Sequence, residues 1–307
     1  MTYHSVNAKL PAGITRRHFM AATATTCLSM SPMAQALSRT PVAKSDWKMR
    51  LSTSSLHYRS LSLAEACTRI GKLGFQGIDV WAHFEWAGPL CEHLEEGLKT
   101  LGPKEFATLL QGQQLELFAA SCYTVPVSQF APLLGKLGGA VMIRGSRGIQ
   151  GTVDLKAQMK QFIESLKPDL EMLEQHGCVM AIENHSGNSL LNTVDSVKIF
   201  TELNTHKNLG IALAPYHIQK NGESVEQAIR LASDQLRFFY AWQFGEGTQQ
   251  LPGIGPTDFR PWIKALADVS YRGFVNPFMH HEPEPDDMDK SLAISRDYLE
   301  NIYTGLI

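Results

Sequence analysis

The sequence predicts an α/β protein of the (β/α)8 barrel class, a single domain behind an N-terminal segment foreign to the fold. Three observations carry that prediction. Eight short runs rich in β-branched and apolar residues follow residue 48. Longer amphipathic stretches separate them. No Gly-rich dinucleotide fingerprint follows the first run, which argues against a doubly wound open sheet.

The runs fall at residues 49–55, 77–82, 115–122, 140–145, 179–184, 209–215, 236–243 and 274–280. Between them, Leu63, Ala66, Ile70 and Leu73 share one helical face, as do Phe162, Leu166, Leu170 and Leu173. Residues 225–233 and 259–267 repeat the pattern. Strands alternating with helices imply parallel pairing through right-handed crossovers, and eight units suggest closure. The 307 residues are 44% hydrophobic, ample for one barrel of about 250 residues.

The first 36 residues read as an export signal, 37–47 as a linker and 48–307 as the barrel. Arg16-Arg17 precede Phe19, a mildly apolar stretch follows, and Ala34-Gln35-Ala36 offers a small-residue cleavage site. That order resembles a bacterial twin-arginine signal and predicts a periplasmic protein. Cys67, Cys91, Cys122 and Cys178 are scattered without Cys-x-x-Cys spacing, which predicts free buried thiols rather than a zinc knuckle.

The net charge of −2 gives no electrostatic case for nucleic acid or an anionic membrane as partner. No apolar stretch reaches the roughly 20 residues that span a bilayer. What remains as a partner is a small molecule and, at most, further copies of this chain.

A barrel of this class builds its site from the C-terminal strand ends and the loops that follow. Those positions here are polar and aromatic. They include Trp81, His83, Glu85 and Trp86 after strand two, Ser121 and Tyr123 after strand three, and Arg144 after strand four. Glu183 and His185 follow strand five, Tyr216 and His217 strand six, Trp242 and Gln243 strand seven, and Asn276, His280 and His281 strand eight. Carboxylate, imidazole and amide oxygen together are donors that a divalent metal uses. The indole and phenol rings suit stacking on a sugar ring.

Three stretches resemble the xylose-isomerase-like sugar isomerases and epimerases. They are Gly74-Phe75-Gln76-Gly77-Ile78-Asp79-Val80-Trp81, then Val179-Met180-Ala181-Ile182-Glu183-Asn184-His185, and last Pro252 to Phe259 followed by Tyr271-Arg272-Gly273-Phe274. The resemblance implies a sugar or keto-sugar isomerase or epimerase. It also implies one divalent cation held by Glu, Asp, His and Glu after strands five to eight. Glu183 matches the first ligand, while Ala214 stands at the Asp position and Asn276 at the last Glu. The expected set is therefore Glu183, His217, Gln243 and His280 around one Mn, Zn, Co, Ni or Mg ion, with Glu183 or His185 as acid or base. Trp81, His83, Glu85, Trp86, Arg144, Tyr216, Trp242, Asn276 and His281 are the expected substrate contacts. A lyase or hydratase acting on oxidised glycosides, and a sugar-binding barrel without catalysis, are the alternatives. The DNA-repair endonucleases of the same superfamily need a three-metal cluster whose ligands this chain lacks.

Overall fold

A computed structural model describes residues 47–85, 88–151 and 154–306. The predicted signal and residues 37–46 of the predicted linker lie outside these. Trp47, assigned to the linker, belongs to the barrel. It is buried, its indole N–H donates to the Tyr271 carbonyl, and its own carbonyl accepts from the Tyr303 hydroxyl at 3.0 Å.

Eight parallel strands form one sheet in sequence order: β1 Ser52–Ser54, β2 Gly77–Trp81, β3 Glu116–Ser121, β4 Val141–Gly145, β5 Val179–Glu183, β6 Leu209–Leu213, β7 Leu236–Ala241 and β8 Val275–Pro277. A parallel bridge from Leu51 to Val275 joins the last strand to the first. Every strand lies inside the run predicted for it. The strands are shorter than the runs because the runs continue into the loops that carry the site.

Helices Leu63–Lys72, Pro103–Gly112, Leu155–Ser165, Lys167–Gln175, Val194–Leu203, Val225–Ala232, Arg260–Asp268 and Pro285–Leu306 flank the sheet. Ser62 starts the first of them with a reciprocal capping box to Glu65. The helical face expected through Phe162, Leu166, Leu170 and Leu173 belongs to two helices, divided at Leu166. Pro168 lacks the N–H that a continuous helix would need there and stands instead in the first turn of the second.

The sheet has two apolar faces, and side chains alternate between them. Ile78, Val80, Met142, Met180, Ile182, Leu213 and Phe239 point outward and pack under the helices. Phe118, Val141, Ile143, Ala181, Ala212, Phe238, Tyr240 and Phe274 point inward and fill the barrel. Phe118 stacks on Phe238 at 5.3 Å and meets Phe274 at 4.7 Å, closing the lower interior. This parity decides which strand-end residues reach the site. Cys67, Cys91, Cys122 and Cys178 are all free and buried, as the sequence predicts.

Candidate active site

A cavity of about 910 Å³ opens at the C-terminal ends of the strands. Its floor holds Glu183, the last residue of β5, which follows inward-facing Ala181 by two and so shares its direction. Glu183 is only 8% exposed. Burial pushes its carboxyl up to about 7, opposed by a hydrogen bond from Tyr123 and assisted by the nearby charge of Asp79.

One wall is Trp81, Phe84, Phe278 and His280. Trp81 and Phe278 lie parallel at 5.7 Å, and Phe84 and His280 stack at 6.2 Å. Trp242 continues this wall, edge-on to Phe278 at 5.1 Å and to His280 at 5.3 Å, and Tyr216 stacks on Trp242 at 4.4 Å. Both indoles are held from behind: Trp81 Nε1 donates to Asp79 at 2.7 Å, and Trp242 Nε1 donates to Gln250 at 2.6 Å. His217 reaches the cavity because β6 ends at Leu213, Ala214 is the N-cap and Pro215 starts a short helix, Pro215–Lys220. Its Nδ1 lies 3.1 Å from the Ser186 hydroxyl, and its buried Nε2 has no protein partner. Desolvation, then the His185 and Lys220 charges, lower its pKa to about 2. His280 is lowered to about 3, first by desolvation. Both imidazoles are therefore neutral at physiological pH. His185, at the mouth, approaches His217 to 3.9 Å between ring centres. Its Nδ1 bonds the Ser186 carbonyl at 2.8 Å.

Of the expected site residues, Trp81, Glu183, His185, Tyr216, His217, Trp242, His280 and His281 all line this cavity. The others are elsewhere. Arg144 follows inward Ile143, so it points out and pairs with Asp169 on a flanking helix at 2.9 Å. His83 is exposed and pairs with Glu92 at 3.0 Å. Glu85 is exposed and does not line the cavity. Trp86 lies outside the described residues.

The expected metal set does not assemble. Gln243 follows inward Trp242 and points away from the cavity, where its amide staples a loop. Nε2 donates to the Leu251 carbonyl at 2.7 Å, and Oε1 accepts from the Thr257 N–H at 2.7 Å. Asn276 does face inward but below the cavity. Its Oδ1 accepts from Ser52 at 2.8 Å, and its Nδ2 donates to Ser54 at 3.1 Å. Ala214 offers no side-chain donor. Of the four positions that hold the cation in the resembling enzymes, Glu183 alone keeps a carboxylate here, and both amides have their heteroatoms engaged. Among the described residues no three His, Cys, Asp or Glu side chains converge as a metal would require. The residues present do not fit the expected cation.

Several groups that matter were assigned no role from the sequence. Asp79 is fully buried inside the barrel and accepts from Ser54 at 2.7 Å, Trp81 at 2.7 Å and Ser121 at 2.9 Å. Tyr123 and Tyr240 meet hydroxyl to hydroxyl at 2.9 Å beside Glu183. The signal for Asp79 and Tyr240 was strand parity: each alternates with outward apolar residues, Ile78 and Val80 around Asp79, Phe239 and Ala241 around Tyr240.

The fold and the cavity define a (β/α)8 barrel whose strand-end pocket pairs one desolvated carboxylate with neutral imidazoles and aromatic walls. The chain belongs to the xylose isomerase-like TIM barrel family, which it matches over residues 67–298. It is 29% identical over 150 residues to a D-psicose 3-epimerase of Ruminiclostridium cellulolyticum, covering 47% of this chain and 49% of that protein. The match thus spans about half the length of that relative. It is 23% identical over 239 residues to a D-psicose 3-epimerase of Agrobacterium fabrum, covering 73% of this chain and 82% of that protein. The structure of a 3-keto-D-glucoside 4-epimerase from E. coli superimposes with a TM-score of 0.63 at 16% identity, over 81% of this chain and 100% of that one.

Proposed function

We propose that this chain is a sugar isomerase or epimerase type of enzyme that moves a proton beside the carbonyl of a non-phosphorylated keto-sugar or glycoside. The observation that carries the reading is Glu183: a carboxylate on the cavity floor, desolvated until it titrates near 7, as a general base working at neutral pH should. The names of the relatives, D-psicose 3-epimerase and 3-keto-D-glucoside 4-epimerase, agree in the class of substrate. The aromatic walls suit the apolar faces of a sugar ring. Among the described residues Lys220 is the one lysine or arginine that lines the cavity, which is little to receive a phosphate. Export through a twin-arginine signal in residues 1–36 belongs to the same proposal, since phosphosugars are cytoplasmic.

Glu183 takes the proton from the carbon next to the carbonyl, and the electron pair moves into an enolate. The Tyr123 hydroxyl is placed to hydrogen-bond the enolate oxygen. His217 Nε2, neutral and unpartnered within the protein, accepts from or donates to a sugar hydroxyl according to its tautomer. With Glu183 the one buried carboxylate lining the cavity among the described residues, the proton it removes returns to the neighbouring carbon in an isomerisation, or to the opposite face of the same carbon after the enolate turns in an epimerisation.

The test is solvent deuterium uptake at carbon by D-psicose and 3-keto-glucosides incubated with the purified protein. Label entering none of them sinks the proposal. The ionised form of Glu183 is the active one. The rate of label uptake is therefore expected to rise tenfold per pH unit up to about 7 and to level off above it. A profile flat from pH 5 to 8 contradicts the role of Glu183.

Tyr216 supplies stacking without touching the reacting atoms. Tyr216→Ala is expected to weaken sugar binding about tenfold, about 1.4 kcal/mol, with kcat nearly unchanged. Titration calorimetry and steady-state rates measure the two separately.

A further inference from the structure

The cavity is larger than one sugar ring requires. At about 910 Å³ it lies near the top of the roughly 300–1,000 Å³ that enclose drug-sized ligands, and a single hexose is smaller than those. Glu183 on the floor fixes where the reacting ring sits, so the part left unfilled is the mouth.

A series of rings leads there. Trp242 in the wall is 3% exposed, Tyr216 stacked on it is half-buried, and Phe244 beyond Tyr216 is 50% exposed. Phe244 meets Tyr216 at 5.2 Å between ring centres and is tilted from it by 59°, in contact with the wall without stacking on it. Among the described residues it is the most exposed large apolar side chain. A lone exposed phenylalanine needs no explanation, but this one carries the aromatic wall of a cavity out to its mouth. Its backbone is held in place. The Phe244 N–H donates to Gln219 Oε1 at 2.8 Å, and Gln219 Nε2 donates to Thr257 Oγ1 at 3.1 Å. The residues that follow, Gly245 to Gly247, line the cavity.

The charged groups at the mouth have the chemistry of a hydroxyl site. Lys220 and Glu246 both line the cavity and both are exposed. Among the described residues neither side chain forms an ion pair or a hydrogen bond. The ammonium offers only donors and the carboxylate only acceptors, which together suit sugar hydroxyls, each of them donor and acceptor at once. Their charges cancel, so the mouth favours a neutral ligand. An aromatic ring would use Phe244 and leave both charges idle. A pyranose, apolar on its face and hydroxylated at its edge, uses all three.

We propose that Phe244, Tyr216, Lys220 and Glu246 form a second subsite, for a neutral sugar ring joined to the ring that reacts, and that the substrate is a keto-disaccharide or larger glycoside rather than a free hexose. Phe244 covers the apolar face of the outer ring, and Lys220 and Glu246 take its hydroxyls. None of these groups touches the reacting atoms, so the subsite acts through binding. It rests on the sugar reading of the cavity given above, and not on the proton transfer at its floor.

Titration calorimetry on the whole protein tests this with three probes. Methyl 3-keto-glucoside ends at the inner ring. 3-Keto-cellobiose, with the keto group on its non-reducing ring, adds a sugar. Phenyl 3-keto-glucoside adds an aromatic ring instead. The disaccharide is expected to bind about thirtyfold more tightly than the methyl glucoside, with the phenyl glucoside between them. In Phe244→Ala that preference should fall about tenfold, and in Glu246→Gln about threefold. A ratio of two affinities on one sample is insensitive to any loss of folded protein. Equal binding of the disaccharide and the methyl glucoside, or a preference that survives Phe244→Ala, overturns the proposal. So does a phenyl glucoside that binds as tightly as the disaccharide, since the mouth then serves aromatic groups. If the affinities follow the expected pattern while no sugar takes up deuterium, the proposed reaction is wrong and the subsite stands.

Discussion

Replacing Glu183 by Gln is expected to remove roughly three orders of magnitude from the rate of proton transfer while leaving the barrel folded, within the range a general base contributes. The same substitution should raise thermal stability at pH 8. The sign follows from the direction of its shift. The folded-state pKa of Glu183 is about 7 against an ordinary 4.5. The protonated form is thus favoured in the folded chain, and stability present below 4.5 is lost as pH rises to about 7. Glutamine has no charge to desolvate and escapes that loss, which is on the order of a few kcal/mol. An inactive variant with a higher melting temperature at pH 8 and a smaller advantage at pH 5 is the expected pattern. An active variant removes Glu183 from the chemistry. An inactive one that melts earlier at pH 8 shows that its carboxylate stabilises the fold.

The second large effect concerns the wall behind His280. Arg59 and Glu282 form an ion pair at 3.0 Å with side chains 9% and 5% exposed. Arg59 lies just past the turn Ser55–Tyr58 that follows β1, and Glu282 sits in the loop after β8, so the pair ties the two sides of the barrel closure. The Glu282 carboxylate also lies 3.9 Å from His280 Nδ1. Burial raises the Glu282 pKa and Arg59 opposes that rise. Arg59→Met keeps the packing stem and deletes the charge, leaving a carboxylate without its ion-pair partner. The expected loss is about 3–5 kcal/mol at pH 8, a fall in Tm of roughly 10 °C. Without Arg59 the folded-state pKa of Glu282 rises further. The loss should therefore shrink as pH falls and the carboxyl protonates. Adding Glu282→Leu should recover most of the stability, because a buried pair replaced by apolar side chains is often neutral. A single variant as stable as the parent at pH 8 contradicts this account.

The strand ladder was legible without coordinates. Each apolar run is short, β-rich and separated from the next by a helical face, and those periods follow from local backbone geometry. Glu183, His217 and His280 were legible too, since they lie at the ends of such runs or closely trail them. Arg144 and Gln243 were misplaced for one reason: proximity to a strand end does not say which face a side chain leaves by. Each sits one residue after an inward side chain and so turns outward, Arg144 to Asp169 and Gln243 to a loop backbone. Asp79 escaped notice because an acid inside Ile-Asp-Val-Trp looks like an interruption of a core strand. Only three hydroxyl and indole donors from β1, β2 and β3 make it tolerable there.

The sequence by itself determined the architecture and the positions from which a site could be built, because hydrophobic periodicity is local and the barrel follows from repeating it. Tertiary structure alone decided what the site became. It turned the expected ligand Gln243 into a loop staple and set Asn276 beneath the floor. It also brought Tyr240 of β7 and Tyr123 of the loop after β3 hydroxyl to hydroxyl, and set Asp79 under donors from β1, β2 and β3. Those outcomes depend on strand register and on distances across the barrel, which join residues far apart in the chain and leave no mark in any local pattern.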